Sequence, residues 1–147
     1  MEDITELSIA GSGDIVSENF LIVNDILLRI TGSGDLDVGL EADDIDADIT
    51  GSGNMLIEGT GDSIDSRITG SGDLRAFNLE LNRADITISG SGDAEVTVFD
   101  ELDVRISGSG DVKYKGNPSV DVSISGSGRV VDCLLYTSDA ADEAKWV

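Results

Sequence analysis

The residues best placed for chemistry are aspartates that follow a repeated Gly-Ser-Gly tripeptide. The tripeptide occurs seven times, at steps of 18 to 21 residues, and an aspartate follows five of the copies. Asn54 and Arg129 follow the other two. A row of carboxylates, one per repeat, suggests Ca²⁺, which prefers carboxylate and carbonyl oxygens. The five candidate calcium ligands are Asp14, Asp35, Asp73, Asp93 and Asp111.

A structural role for these aspartates is the favoured interpretation. One carboxylate per repeat is sparse for an ion that takes about six to eight oxygen ligands. An aspartate beside glycine also caps a turn by accepting hydrogen bonds from nearby backbone N–H groups, as in an Asx turn. We therefore expect turn capping here, with calcium as the less favoured alternative and no other cofactor.

Enzymatic chemistry has little support in the composition. The 147-residue chain has no histidine, which removes the commonest general base. Its carboxylates recur in every repeat without one distinct cluster, and no serine has an evident activating base. The phosphate-binding loops that resemble Gly-Ser-Gly-Asp open a helix, whereas no helical pattern follows this tripeptide. We predict that the protein is not an enzyme and assign no catalytic residue.

The charge of the chain excludes further classes. Thirty acidic and nine basic residues give a net charge of −21, which argues against binding to nucleic acid phosphates. No apolar run is long enough for a transmembrane helix. The expected partner is therefore an unidentified protein or a glycan surface.

The elements that position the aspartates follow from the repeat itself. Apolar residues alternate with polar ones between the tripeptides, and this period of two is typical of strands. An antiparallel meander is the rival arrangement, but it does not require one residue type at one offset in every repeat, whereas a coiled solenoid does. We predict a single-domain, all-β parallel β-helix, right-handed by the general rule, with about seven coils of 18–21 residues. Its inward core column is isoleucine, two places before each tripeptide: Ile9, Ile30, Ile49, Ile68, Ile88, Ile106 and Ile124.

The glycines are predicted to form a turn in every coil. Both glycines of each tripeptide are expected to adopt φ > 0, which a side chain resists. Coil length varies at the opposite corner, where residues 17–24 and 79–83 are expected to bulge. The predicted turn glycines are Gly11, Gly13, Gly32, Gly34, Gly51, Gly53, Gly70, Gly72, Gly90, Gly92, Gly108, Gly110, Gly126 and Gly128.

Four aromatic residues lie within the repeats. Tyr114 occupies an inward position, so core packing is expected. Phe77 and Phe99 fall near the variable corner, where packing under a loop is favoured over stacking on a sugar or anchoring a partner. Phe20 is the fourth.

The C-terminal segment does not follow the repeat. Residues 133–143 read CLLYTSDAADE, which resembles a translated reading frame of a sequencing-library adapter. We therefore expect residues 1–132 to be the repeat domain, truncated at both ends, and residues 133–147 to be a non-native tail. No export signal is visible before the repeats.

The repeated pattern Ile-Ser-Gly-Ser-Gly-Asp, as in residues 88–93 and 106–111, resembles the bacterial "putative auto-transporter adhesin, head GIN domain" family. The resemblance covers residues 7–131. It implies a secreted or cell-surface protein with a β-helix-like fold, and it brings no catalytic residues.

Together these patterns predict a non-catalytic adhesin head that displays an acidic, Ser/Thr-rich face to a partner. The alternative is a structural or self-assembling scaffold, because exposed end coils can pair with another copy through residues 5–9 and 130–132.

Overall fold

The computed structural model describes residues 6–16 and 21–132. They form an all-β parallel solenoid of about six turns, which confirms the predicted fold class. The described part of the chain has no helix with the length and apolar composition needed to cross a bilayer. The predicted tail at 133–147, Phe20, and the first part of the bulge predicted at 17–24 lie outside the described residues. The strands are β1 (Glu6–Gly11), β2 (Ile15–Val16), β3 (Leu21–Ile22), β4 (Asp25–Gly32), β5 (Leu36–Gly51), β6 (Asn54–Gly70), β7 (Asp73–Gly90), β8 (Ala94–Gly108), β9 (Asp111–Lys115), β10 (Ser119–Gly126) and β11 (Arg129–Asp132).

Equivalent residues of successive repeats are neighbours in one parallel sheet. The strands pair in the order β1-β4-β5-β6-β7-β8-β9-β11, while β2 and β3 pair with β5 and β10 pairs with β8. Ile49 is aligned with Ile30 on one side and with Ile68 on the other. The pairings are parallel, so the meander alternative is wrong.

Each full coil has two limbs that meet at two corners. In β5, alternate residues of positions 36–42 are buried, and the alternation resumes at 45–49 after the exposed pair Asp43 and Asp44. We call the part after each tripeptide the first limb and the part leading to the next tripeptide the second limb. The change of phase between them marks the variable corner, because a strand keeps one face inward only while the period of two is unbroken.

The isoleucines of the second limb lie in the core. Six of the seven are at most 5% exposed, and they stack in register along the solenoid. Fully burying such a side chain stabilises the fold by about 1.5–3 kcal/mol. Ile124 differs, with 38% exposure; its strand β10 pairs only with β8 among the described strands, whereas Ile9 stays 5% exposed although its strand β1 pairs only with β4. The column is therefore buried wherever a described coil covers it from both sides.

The two glycines of the tripeptide have different roles, which corrects the expectation that both adopt φ > 0. Only the first has a positive φ, between 100° and 134° in the seven copies. In five of the seven copies its carbonyl oxygen accepts two N–H groups from the next coil, as when Gly32 accepts Ser52 N at 3.0 Å and Gly53 N at 3.1 Å. The second glycine is needed because there is no space for a side chain. A Cβ on Gly53 would lie 2.6 Å from Cγ2 of Ile30 and would overlap the carbonyl oxygen of Gly34.

The irregularities of the sheet lie in the first limb and at the variable corner. The β6–β7 pairing shifts between Leu56 and Gly59, and the β7–β8 pairing shifts between Ala76 and Glu80 and again between Leu81 and Arg83. Extra residues in β7 are thus accommodated at residues 77–79, beside the bulge predicted at 79–83. Insertions are tolerated there because the neighbouring coil need not match them residue for residue.

Ser66 and Thr97 are the buried polar side chains of the described residues, and replacement of Ser66 should stabilise the protein. Ser66 is fully buried, its Oγ has no hydrogen-bond partner, and its register neighbours are Ala47 and Ile86. An unsatisfied buried hydroxyl costs about 1–3 kcal/mol. We expect Ser66→Ala to raise the free energy of unfolding by about 1 kcal/mol in denaturant titrations.

Ser63→Ala is the matched control for this substitution. The Ser63 hydroxyl donates to Asp44 Oδ1 at 2.7 Å on the exposed side of the same strand. Its loss should be neutral or slightly destabilising. A destabilised Ser66→Ala protein would show that the hydroxyl has a partner in solution.

Candidate functional site

The aspartates that follow the tripeptide connect successive coils. Oδ1 of each accepts the backbone N–H of the equivalent residue one coil further on. At one end of the row Asp14 accepts Asp35 N at 3.0 Å, and at the other end Asp111 accepts Arg129 N at 3.1 Å. The sequence correctly indicated a carboxylate that accepts backbone N–H groups. The expected Asx turn within a single coil is wrong, since the donor lies 18 to 21 residues away.

This ladder also explains the two exceptions in the sequence pattern. Asn54 keeps it intact, because its amide oxygen Oδ1 accepts Asp73 N at 3.3 Å. Arg129 has no acceptor oxygen in its side chain, but no described coil follows it with an N–H to be accepted. In each aspartate of the row, the ladder uses Oδ1 and leaves the second carboxylate oxygen, Oδ2, outside it. Within the described residues, no group of three or more His, Cys, Asp or Glu is arranged to hold a metal ion. Calcium binding at this row stays a prediction.

The outward side of the second limb carries exposed polar side chains over several coils, and we call it the charged face. Its side chains form parallel columns with a spacing of about 4.8 Å between coils. The first is the aspartate column, five places before the tripeptide: Asp46, Asp65, Asp85, Asp103 and Asp121. Next is the arginine column, three places before it: Arg29, Asp48, Arg67, Thr87, Arg105 and Ser123. The hydroxyl column directly precedes the tripeptide: Thr31, Thr50, Thr69, Ser89, Ser107 and Ser125.

Shallow depressions lie between these columns. One of about 610 Å³ runs along the aspartate column and is bordered by Asp25, Asp44 and Arg83. Smaller ones of about 290, 280 and 180 Å³ lie along the arginine column. The charged face is therefore grooved and can contact a ligand over several coils.

Partial burial and the stacking of like charges raise the pKa of two carboxyl groups in the aspartate column. Partial burial, followed by the negative charges of Asp65, Asp44 and Asp25, raises the pKa of Asp46. Partial burial and then Asp65 and Asp103 raise the pKa of Asp85, which Arg105 partly offsets. Both groups therefore bind a proton more tightly in the folded protein than in the unfolded chain.

The direction of these shifts predicts a pH dependence of stability. A carboxyl whose folded pKa is raised destabilises the fold when ionised, and the destabilisation is relieved as the pH falls through the folded pKa towards the unfolded value. We expect the melting temperature to rise between pH 7 and the acidic range where Asp46 and Asp85 take up protons. Asp85→Asn should raise the melting temperature at pH 7 and weaken this dependence.

Asp100→Asn is the control, because it removes one negative charge at the variable corner, away from the aspartate column. It should leave the pH dependence close to that of the parent. If Asp85→Asn melts lower than the parent at pH 7, the ionised column does not destabilise the fold.

With this geometry in place, the chain can be compared with known proteins. The profile of the family described as "Putative auto-transporter adhesin, head GIN domain" matches residues 1–118. The chain belongs to this family. None of the curated proteins matches it.

Solved structures of putative adhesins have the same fold as this head GIN domain. One from Parabacteroides distasonis has a TM-score of 0.86 and 33% identity, covering 88% of this chain and 56% of its own. One from Bacteroides fragilis has a TM-score of 0.83 and 28% identity, covering 87% of this chain and 60% of its own. A structure described as a putative lipid binding protein, also from P. distasonis, has a TM-score of 0.70 and 26% identity, with 87% and 61% coverage. This chain spans 56–61% of the length of these structures.

The three aromatic residues that the structure describes in this head GIN domain lie away from the charged face, on the first limb and at the variable corner. Phe99 is half exposed, while Tyr114 is partly buried against the core. Phe77 is partly buried, its carbonyl oxygen accepts the Thr97 hydroxyl at 2.6 Å, and Lys115 Nζ lies 4.6 Å from the centre of its ring. Phe77 therefore packs within the corner, whereas Phe99 stays available for contact.

The aspartate and arginine columns were not predicted from the sequence. The sequence did contain the pattern that marks them. The aspartate column lies five places before the tripeptide, and the arginine column lies three places before it. The conspicuous aspartates that follow the tripeptide form the ladder between coils instead.

Proposed function

We propose that this head GIN domain is a non-catalytic adhesion module of a secreted or cell-surface protein, and that its charged face makes the contact. The single observation that carries the proposal is the charged face itself, where acidic, basic and hydroxyl columns repeat over several coils on a rigid sheet. A repeated array of this kind suits a repeating partner, since many weak contacts combine into strong attachment.

The interior supports a surface function. The core side chains of the described coils are at most 9% exposed and pack against one another in a single hydrophobic cluster. Binding of an acyl chain, which the description of one related structure would suggest, needs an apolar cavity. Adhesion through the exterior is therefore the function that the geometry supports best.

Adhesion of coated beads tests the proposal. Beads carrying the domain should be retained on mucin-coated surfaces and released from albumin-coated ones under flow. The double variant Asp65→Lys and Asp85→Lys, which reverses charge on the charged face, should reduce retention to the albumin level. The double variant Asp37→Lys and Glu58→Lys, which reverses the same charge on the first limb, is the matched control and should be retained like the parent.

Two outcomes would contradict the proposal. The first is retention of the parent beads on mucin that does not exceed the albumin level. The second is an equal loss of retention in the charged-face and control variants, which would mean that overall charge rather than the charged face governs attachment.

A self-assembling scaffold is the second candidate, and one observation favours it. Val120, Val122 and Ile124 of β10 are 38–40% exposed, although they continue the inward columns. A parallel strand with an apolar, unpaired side can add a strand from a second copy. Light scattering over a range of protein concentrations tests this candidate, because a scaffold grows with concentration whereas an adhesin head stays discrete.

A further inference from the structure

Arg105 differs from the other arginines of its column in its neighbours. Along the sheet, Arg29 and Arg67 both lie beside Asp48, so opposite charges alternate over those three coils. Arg105 lies between Thr87 and Ser123 instead. Neither register neighbour carries a carboxylate, so no acidic side chain adjacent to it in the column accepts its guanidinium N–H groups.

Four hydroxyl side chains border a shallow depression beside Arg105. The depression has a volume of about 180 Å³ and is lined by Thr87, Ile88, Arg105, Ile106, Ser107, Ser123 and Ser125. Register neighbours lie about 4.8 Å apart, and alternate residues of one strand about 6.6 Å apart. The five N–H donors of the guanidinium and the four hydroxyls thus lie around an area comparable with one pyranose ring, with the two isoleucines between them.

The charges near Arg105 select the kind of ligand. The negative charge of Asp85 interacts with that of Arg105. Asp103 precedes Arg105 by two residues on the same face, and Asp121 lines the adjoining depression with it. An anion would be repelled by these carboxylates, and a cation by the guanidinium. A neutral sugar fits both, because each hydroxyl can accept a hydrogen bond from arginine and donate one to a carboxylate or serine.

We propose that Arg105, with the hydroxyls of Thr87, Ser107 and Ser123, binds one neutral sugar residue of a glycan. The proposal rests on the proposed adhesive function and names its ligand class. Bidentate hydrogen bonding to vicinal hydroxyls gives the site its preference, and the lack of an aromatic ring among its lining residues makes a single contact weak. Attachment then depends on several copies binding one glycan-coated surface.

NMR titration of the full chain tests this site. We expect at least one of methyl mannoside, methyl galactoside and methyl glucoside to shift the amide signals of residues 105, 107 and 123 in a saturable way. Sulfate and methylammonium, the anionic and cationic probes, should shift them less. Arg105→Ala should weaken sugar binding roughly tenfold or more, as expected for loss of hydrogen bonds to a charged group.

Arg67→Ala is the matched control, since it removes an arginine of the same column whose neighbour is Asp48. It should bind the sugar like the parent. Stronger shifts with sulfate would make this an anion site, and equal weakening by Arg67→Ala would make the effect one of general charge. Either result overturns the proposal, as does the absence of shifts with all three glycosides.

The bead assay separates this inference from the proposed function. If beads adhere to mucin but the glycosides leave the three amides unshifted, the sugar site is wrong and the adhesive function stands. If the glycosides bind but the beads are not retained, the site stands and the adhesive function is wrong.

Discussion

Ile68→Asp is expected to unfold the solenoid, whereas Ile124→Asp is expected to leave it folded. Ile68 is fully buried between Ile49 and Ile88, and Ile124 is 38% exposed in the same column. Removing a buried aliphatic side chain costs about 2–5 kcal/mol, and an unpaired buried carboxylate adds a further penalty. That sum approaches the whole stability of an ordinary domain, which is about 5–15 kcal/mol.

Thermal melting followed by circular dichroism measures the difference. The Ile68→Asp protein should lack a cooperative transition at neutral pH, while Ile124→Asp should retain one near the parent's melting temperature. Because both variants introduce the same charge at the same column position, general effects of the added carboxylate cancel. Equal melting of Ile68→Asp and the parent would show that this column does not face the core.

Gly72→Ala should be strongly destabilising, and Gly13→Ala should not. A Cβ on Gly72 would lie 2.6 Å from Cγ2 of Ile49 and would overlap the carbonyl oxygen of Gly53, whereas a Cβ on Gly13 meets nothing within 4 Å among the described residues. The Gly53 carbonyl shares its peptide unit with Asn54 N, which donates to Asp35 Oδ1, so moving the oxygen would disturb that hydrogen bond. We expect a loss of about 3 kcal/mol or more for Gly72→Ala.

Denaturant titration of both variants measures this effect. Gly13→Ala, the control, should change the free energy of unfolding by about 0.5 kcal/mol or less, or raise it slightly by restricting the unfolded chain. The comparison would show whether close packing or backbone conformation makes the second glycine necessary, because neither Gly13 nor Gly72 has a positive φ. Similar losses in both variants would mean that the glycine is required for its conformational freedom.

The coiled architecture could be predicted because a solenoid places each residue on its equivalent. Identical residues at a fixed offset, above all the isoleucines, indicated stacking, and the period of two between them indicated strands. The parallel register of Ile30, Ile49 and Ile68 is the direct outcome of that pattern. These features depend only on spacing along the chain and recur in every coil, so the repetition makes them recognisable in the sequence.

Features that depend on the neighbouring coil could not be assigned from one repeat. The sequence showed an aspartate beside a glycine, which suggested a local turn, but only the stacking of coils places Asp93 Oδ1 2.9 Å from Asp111 N. The second glycine of the tripeptide likewise looked like a turn residue. Its real constraint is the Cγ2 atom of an isoleucine in the preceding coil.

The sequence by itself determined the strand period, the inward isoleucine column and the coil length, because these follow from spacing along the chain. Only the tertiary structure decided which polar residues meet across coils. Arg67 faces Asp48 and Arg105 faces Ser123 because the register of each pair of strands sets their neighbours. The candidate binding surface arises from that register, since side chains about twenty positions apart become adjacent when the chain completes one turn.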